Sequence, residues 1–559
     1  MNKILTDAAQ KSTNFYYSDR ILQHFLSSEI SVVGLSFMHE NLVKTGAAAA
    51  LKMDKLSLQA DRNPPELMVR DFYGEPNPRI EYHPAYHQLK EIALETGMFQ
   101  VKWNEQWRQR FKQERNALSF SASFIFAMSE CGLYCPLCMT DGVATLIDKY
   151  CSEADAERLL PHIAANKLED FYTGAMFLTE KSGGSDVGAN TVSAHKINEK
   201  NYLLYGEKWF CSNADAELIF VLARSNPSIK GTKGLSIFLV EKKQADGQIN
   251  NLGYIRLKNK LGVRSMASAE CNMQEVKAKL IGQEGQGFAI MSDMINLSSL
   301  YNSIAALASM RRALIESYQF LKYRILFGKE ALSHPLIRTK LQELAAIYQA
   351  NFYLSWHCIK LLDAAENGDN TAAELLRLLT PMCKKTTAEQ AVYVIRESME
   401  LMGGLGYIED GVLPKILRDA LVLPIWEGAG NIMILDMLRA SSKSEGLTIL
   451  MQDMDHNFQG LNTEQLSIVE KAIARIQEDI HIIFKSEQAV REASAKPLFE
   501  QITQLYQLSL MVRYMDAYAE SWLLPAVDYF IQQFKNPKAV LISPPSKETI
   551  ENMIGWDIN

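Results

Sequence analysis

The sequence predicts a mostly α-helical protein with a β domain inserted into it, and three observations carry that reading. Apolar residues recur at helical spacing before about residue 175 and again after about residue 285. Between them, from about 172 to 280, the chain changes to short β-rich runs separated by Gly, Asn and Lys turns. The chain is also 559 residues long, whereas single hydrophobic cores stop growing near about 250–300 residues, so several domains are expected. The limits read from these shifts are 1–174 for an N-terminal helical domain, 175–283 for a middle β domain, 284–440 for a four-helix bundle and 441–559 for a C-terminal helical extension.

In the first domain Tyr86 to Leu94 carries apolar positions at helical spacing, and Ala122 to Met128 opens another apolar helix. Asn63 to Asn77 is rich in proline and charge and reads as a connection. In the middle domain Thr173–Leu178, Tyr202–Tyr205, Ile219–Leu222, Leu235–Val240 and Ser268–Met273 are the candidate strands, enough for a small sandwich or barrel. No G-x-G-x-x-G runs from a strand into a helix, which argues against a dinucleotide-binding domain of that type. A long helix follows from about Ile290 to Leu326, with apolar residues such as Ile304, Leu307, Leu314 and Tyr318 on one face. Helical runs at about 334–366, 371–402 and 430–441 suit a bundle. The extension reads as amphipathic helices with a loop near Pro525 and a proline-rich tail at Pro544-Pro545.

Composition bounds the function. With 47% hydrophobic and 22% charged residues the chain reads as a soluble globular protein. A net charge of −7 gives no general attraction to nucleic acid or anionic membrane. The first residues, Met1 to Asp7, lack the basic and apolar regions of a signal peptide, and no stretch reaches the about 18 unbroken apolar residues of a membrane span, so a cytoplasmic location is expected. Eight cysteines in a chain of this length are not a disulfide framework. Cys135 and Cys138 have C-x-x-C spacing, but no second such pair completes a metal site. His83 and His87 lie four apart, with Pro84 at a helix start, and read as a structural pair. No metal is expected.

The stretch with the most chemistry is Ile425-Trp426-Glu427-Gly428-Ala429-Gly430-Asn431, in which one carboxylate sits between an indole and small residues that run on into an apolar helix. Desolvation beside an aromatic raises a carboxyl pKa and makes Glu a usable general base. The alternative is that Glu427 belongs to a helix N-cap region at a loop exit.

Three motifs in order resemble the acyl-CoA dehydrogenase family over roughly residues 60 to 440: the Glu427 segment resembles its catalytic segment, Thr179-Glu180-Lys181-Ser182-Gly183-Gly184-Ser185-Asp186-Val187 its flavin loop, and Met402-Gly403-Gly404-Leu405-Gly406-Tyr407 its glycine turn. Asn63-Pro64-Pro65-Glu66-Leu67, the Lys208-Trp209-Phe210 run, Trp426 and the C-terminal extension resemble the alkylation-response (AidB-like) branch. The resemblance implies an acyl-CoA dehydrogenase-like fold with FAD held between β domain and bundle. It makes Glu427 the base that removes an acyl thioester α-proton while the β-hydrogen leaves as hydride, and assigns the Glu427 amide to the thioester carbonyl. Met176, Leu178, Thr179, Gly184, Ser185, Phe210 and Ser212 would meet the flavin. Arg324 and Phe327 belong to a helix-end motif whose Arg reaches the FAD of a neighbouring subunit, and the diphosphate and adenosine would fall to Glu400, Gly403 and Gly404, with Ala429 and Asn431 also near the cofactor. Without the resemblance these residues read as strand alternation, a surface Arg and a helix C-cap. Substrate contacts are assigned to Ser185, Asn296, Ser299 and Gly428. Acyl-CoA, electron-transfer flavoprotein and self-association as a homotetramer are the implied partners.

The chain departs from the family pattern in three places. Phe210 stands where an aromatic over the flavin is usually Trp, with Trp209 one position earlier; Ala429 and Asn431 replace Thr and Gln after the base; and Asn296-Leu297-Ser298-Ser299 stands where Asp-x-x-Arg often lines the acyl-CoA mouth. Weaker CoA-ester binding follows. Two rival readings remain, an AidB-like flavoprotein with weak dehydrogenase activity that acts in a DNA alkylation response or binds DNA, and a flavin-bearing structural or ligand-binding protein such as a fatty-acyl sensor. Residues 440–559 hold 10 Lys and Arg against 16 Asp and Glu, a net of −6, which makes nucleic-acid binding there unlikely as a source of affinity. Arg311-Arg312, Lys384-Lys385 and Lys258 with Lys260 are the basic pairs from which an assembled patch could draw.

Overall fold

The computed structural model describes residues 12–244, 246–535 and 545–557. The N-terminal stretch Met1 to Asp7 and Pro544 lie outside the described residues. The chain forms two compact units, one of residues 52–111 and 129–301, the other of residues 1–51, 112–128 and 302–559.

The first unit holds the β domain. Its strands are β1 (Glu66–Arg70), β2 (Pro76–Glu81), β3 (Gly174–Phe177), β4 (Ser193–Lys196), β5 (Asn201–Ser212), β6 (Leu218–Arg224), β7 (Leu235–Glu241), β8 (Leu252–Leu257) and β9 (Ser268–Ile281). The seven-stranded sheet runs β3-β6-β4-β5-β9-β7, with β8 on β9, and a further β6–β7 pairing brings the path back on itself. That closure removes edges that would otherwise be open to pairing. Phe177, Leu204, Val221, Phe238, Val240 and Met273 fill its core. The sequence missed β4 and β8. The first is four residues long, and β8 is half exposed, so neither shows clean alternation. The sequence also read Asn63 to Asn77 as a connection, whereas β1 and β2 form an antiparallel hairpin across it, with Leu67 opposite Ile80. Most residues of that hairpin are exposed, so its pairing rests on backbone bonds rather than on a hydrophobic pattern.

The long helix spans Gly287–Tyr323, ending three residues before the sequence placed it, and a two-residue hairpin, β10 (Ile325–Leu326) with β11 (Lys329–Glu330), follows. In the second unit the Pro335–Glu366 helix packs against Arg115–Ala127, Asn370–Met402, Gln488–Tyr518 and Leu524–Lys535. Asp369 caps the Asn370–Met402 helix by accepting from Ala372 N at 3.0 Å. The extension is built into this unit rather than appended to it. Phe25, Phe352, Trp356 and Tyr514 form one aromatic cluster, and the Tyr506 hydroxyl donates to Asp453 at 2.7 Å beside His357. Burial pulls the His357 pKa down to about 4. Pro525 is not in a loop: it stands at the start of the Leu524–Lys535 helix, where its missing N–H costs nothing.

Candidate active site and cofactor-binding residues

In the second unit, the Leu413–Ala420 helix ends in a series of tight turns, with Ile425 N and Trp426 N both donating to Val422 O. Glu427 then adopts φ 53° and Gly428 φ 97°, both in the left-handed region. For Gly428 the conformation suits the residue, and a Cβ there would lie 2.3 Å from Met433 Cε. For Glu427 it is an unfavourable choice that neighbouring contacts must hold. Two buried side chains from other helices grip this turn. The Trp426 indole N–H donates to Asn302 Oδ1 at 2.6 Å, and Lys384 Nζ donates to Trp426 O at 2.8 Å and Gly428 O at 2.6 Å.

The N-cap of the Gly430–Lys443 helix is Ala429, which offers no capping side chain. Glu427 stands two residues ahead of it, half-buried and outside the helix. It is therefore not the N-cap residue of that helix. Asn431 lies exposed in the first turn of that helix and Ala429 is exposed at its cap.

Also in this unit, Gly403 (φ 62°) closes the Asn370–Met402 helix, its N–H donating to Glu400 O. A Cβ on Gly403 or Gly404 would meet nothing within 4 Å, whereas one on Gly406 would strike Met399 O at 2.3 Å. The first two glycines thus present open backbone, and only the third is needed for internal packing. The Glu400 carboxylate is exposed and pairs with Arg396 at 2.7 Å. Arg324 is exposed just past the long helix, its guanidinium over the Phe320 ring. Phe327, 96% exposed with φ 51°, projects from the β10–β11 turn.

The remaining candidates lie in the first unit. Leu178, Thr179 and Glu180 leave β3 and are fixed from below by Lys208, whose fully buried Nζ donates to Leu178 O at 3.0 Å and Glu180 Oε1 at 2.9 Å. Burial acts to raise the Glu180 pKa, but Lys208 and the amides of Thr191 and Val192 bring it below the usual range. Trp209 N donates to Thr179 O at 2.9 Å. Met176 is half-buried, and Gly184 is a close-approach position, since a Cβ there would sit 2.6 Å from Thr179 Oγ1. Ser185 is exposed. Ser212 shares a hydrogen bond with Ser268 at 3.0 Å. Phe210 is 58% exposed, while Trp209 lies under the Lys258 ammonium at 3.5 Å from the ring centroid. The same ammonium lies 4.9 Å from the Phe210 centroid, and Phe210 is the more exposed of the two rings. Asn296 is half-buried, and Ser299 is buried with its hydroxyl donating to Ile295 O at 3.0 Å.

Sequence reasoning missed Lys384, Asn302 and Lys208 as site residues. Each takes its role from a partner distant in the sequence, which no local pattern marks. The signal was there in Lys384, a charge on the face of a helix whose neighbours Leu378, Met382 and Cys383 are buried. The basic pairs behave differently from the sequence reading. Arg311 and Arg312 are buried, Arg311 against Asp19, and so are Lys384 and Lys385. Lys258 pairs with Glu270 and Lys260 Nζ donates to Met266 O. Cys135 and Cys138 are buried in the Tyr134–Tyr150 helix, with Cys138 Sγ 3.2 Å from Ser298 Oγ. His83 Nδ1 accepts from Ala85 N, capping its helix. Among the described residues no group of three or more His, Cys, Asp or Glu could hold a metal ion, and no helix is long and apolar enough to cross a membrane.

Residues 285–442 match the family profile of the acyl-CoA dehydrogenase C-terminal domain, 175–276 that of the acyl-CoA dehydrogenase middle domain, and 7–170 that of the adaptive response protein AidB N-terminal domain. The chain is 31% identical over 446 residues to acyl-CoA dehydrogenase family member 11 of Caenorhabditis elegans, covering 78% of this chain and 72% of that protein. It is 30% identical over 477 residues to the putative acyl-CoA dehydrogenase AidB of Escherichia coli, covering 84% and 85%. The crystal structure of C. elegans ACDH-11 in complex with C11-CoA superposes with a TM-score of 0.86 at 27% identity, covering 95% of this chain and 93% of that one.

Proposed function

The chain belongs to the acyl-CoA dehydrogenase family, and from that premise we propose that it is an FAD-dependent oxidoreductase that dehydrogenates an acyl-CoA thioester at the α,β-bond with Glu427 as the base. The observation that carries this reading is the placement of Glu427, a carboxylate held outside the helix on a left-handed residue by contacts to the peptide groups on either side of it. A base gains most from such fixing, because a pre-set geometry removes the cost of bringing it to the proton during reaction.

The residues fit FAD. Open backbone at Gly403 and Gly404 admits close approach by a diphosphate, an exposed Arg324 offers a bidentate fork, and the hydroxyls of Thr179, Ser185 and Ser212 can hydrogen-bond a ring edge without adding charge. FAD when bound supplies the hydride acceptor. The protein's own part is to take the α-proton onto a Glu427 carboxylate oxygen and to fix the acceptor loop through Lys208. C11-CoA bound to ACDH-11 supports an acyl-CoA thioester as the substrate class. Of the two residues at the CoA mouth, Ser299 is already engaged with its own helix, so CoA affinity is expected to be lower than where Asp and Arg stand. Electron-transfer flavoprotein as acceptor, homotetramer formation and a cytoplasmic site of action complete the proposal.

The test is anaerobic titration of the FAD-loaded protein with butanoyl-, octanoyl- and hexadecanoyl-CoA, followed at the flavin absorbance. At least one thioester should bleach the flavin. Glu427→Gln should keep FAD and lose bleaching by about 10²–10⁴-fold, since the amide has the shape without the basicity. Bleaching at wild-type rates by that variant would remove Glu427 from the role, and a wild-type protein inert to all three thioesters would remove the activity.

A further inference from the structure

The Lys384 side chain is out of proportion to a packing role. It is 1% exposed, and burying an ammonium is expensive unless its donors are all used well. Its hydrogen bonds do not go to a carboxylate. Both end on backbone carbonyls, Trp426 O at 2.8 Å and Gly428 O at 2.6 Å, which are the residues immediately before and after Glu427. Its neighbour Lys385 shows the ordinary arrangement, bridging Glu389 at 2.8 Å and Glu500 at 3.0 Å. A single cation joined to both flanking carbonyls closes a ring around the residue between them. That ring spans the two consecutive positive-φ residues, Glu427 and Gly428, so it opposes relaxation of Glu427 to the right-handed or extended backbone that a non-glycine residue otherwise prefers.

We propose that Lys384 is a positioning residue for the base, its ammonium clamping the carbonyls on either side of Glu427 so that the carboxylate is presented in one orientation and beside one fixed positive charge. This rests on the reading of Glu427 as the base. Charge adds to geometry here. Burial lowers the Lys384 pKa to about 8, against the opposing pull of Glu427 and Glu389. The acidic groups that face it are Glu427 from the turn and Glu389 from its own helix. Glu389 is shared with Lys385, which also holds Glu500 of the Gln488–Tyr518 helix. The Gly287–Tyr323 helix contributes the uncharged Asn302. Below pH 8 the ammonium favours the ionised form of Glu427. As pH rises through about 8 that charge is lost, and both the clamp and the electrostatic support weaken.

Two measurements decide it, the first independent of turnover. Hydrogen exchange read by mass spectrometry on the full-length holoprotein should show Lys384→Met accelerating the 421–430 peptide by about tenfold or more, as expected when a buried hydrogen-bonded anchor is lost, while Lys384→Arg stays within a few-fold of wild type. Unchanged exchange in Lys384→Met would overturn the proposal, as would equal acceleration in Lys384→Arg. If Lys384→Met does not fold, Lys384→Gln, which keeps a donor without the charge, takes its place under the same criteria. The second measurement is the pH profile of flavin bleaching by octanoyl-CoA. Lys384→Met should be slower by about 10²-fold with KM little changed, and its acid limb should move to higher pH because Glu427 has lost its cation; an acid limb at the wild-type position would overturn the electrostatic part. Should no thioester bleach the wild-type flavin, the reading of function fails by itself, and the exchange experiment still decides whether Lys384 clamps the turn.

Discussion

Asp363 shows how a single buried group sets a pH dependence. It is 4% exposed and accepts from Asn116 N, Ala117 N and Asn116 Nδ2, each at 2.9 Å, closing the start of the Arg115–Ala127 helix. Burial raises its pKa from 3.8 to about 7, outweighing those donors. The folded state therefore holds a proton that the unfolded chain releases near pH 4. The resulting stability is complete below about pH 4, falls as pH rises and is gone above about pH 7, a swing on the order of 4 kcal/mol. Urea midpoints measured across pH 4–7 should fall more steeply for wild type than for Asp363→Asn; parallel curves would show that Asp363 does not titrate in that window. Residue by residue, legibility in the sequence follows motif context. Glu427 was readable because Trp, Gly and Asn surround it, and Asp363 and Lys384 were not, because their partners are distant in sequence.

At the scale of elements, helices whose apolar face persists over several turns were readable, and elements held by backbone pairing or by one polar anchor were not. The Gly287–Tyr323 helix shows both. Its length was anticipated, but its role as the post to which the segments around Asp19 and Gly555 are both tied was not. Arg311 on this helix donates from Nε to Asp19 Oδ2 at 2.8 Å and from Nη2 to Asp19 Oδ1 at 2.6 Å, and reaches the carbonyls of Ile554 and Gly555. Tyr348 and Trp556 lie against the guanidinium. With both partners fully buried, removing one leaves the other charge without compensation, which costs about 3–5 kcal/mol. Arg311→Met and Asp19→Asn should each lower the unfolding free energy from urea titration by that much. The double variant should lose less than the sum of the two, since the two groups interact directly. Additive losses would show that the pair contributes through packing alone.

For the whole molecule, charge placement bears on nucleic-acid binding. A duplex site making about 6–10 phosphate contacts needs that many cations on one face. The residues from 440 onward hold 10 basic against 16 acidic groups, and Arg311, Arg312, Lys384 and Lys385 are buried in the second unit, with donors turned inward to Asp19, backbone carbonyls or carboxylates. Labelled duplex titrated by fluorescence anisotropy should therefore show no submicromolar binding at physiological salt. Tight binding that survives the rise from low to physiological salt would point to a cationic face assembled from other residues and would bring the DNA-protection reading forward.

By itself the sequence determined the class of fold and the family, because helical periodicity, a change to short strands and three ordered motifs are local properties written in consecutive residues. It also singled out Glu427. Only the tertiary structure decided that this Glu stands outside the helix cap on a left-handed residue, that the Asn63 to Asn77 stretch pairs as a hairpin, and that Arg311-Arg312 and Lys384-Lys385 are interior. The hairpin depends on backbone pairing that leaves no hydrophobic pattern, and the other two on which side chains from distant segments arrive at one place. The Lys384 clamp is the clearest case: it exists because the Asn370–Met402 helix passes beneath a turn more than 40 residues further along the chain, and no local pattern records that meeting.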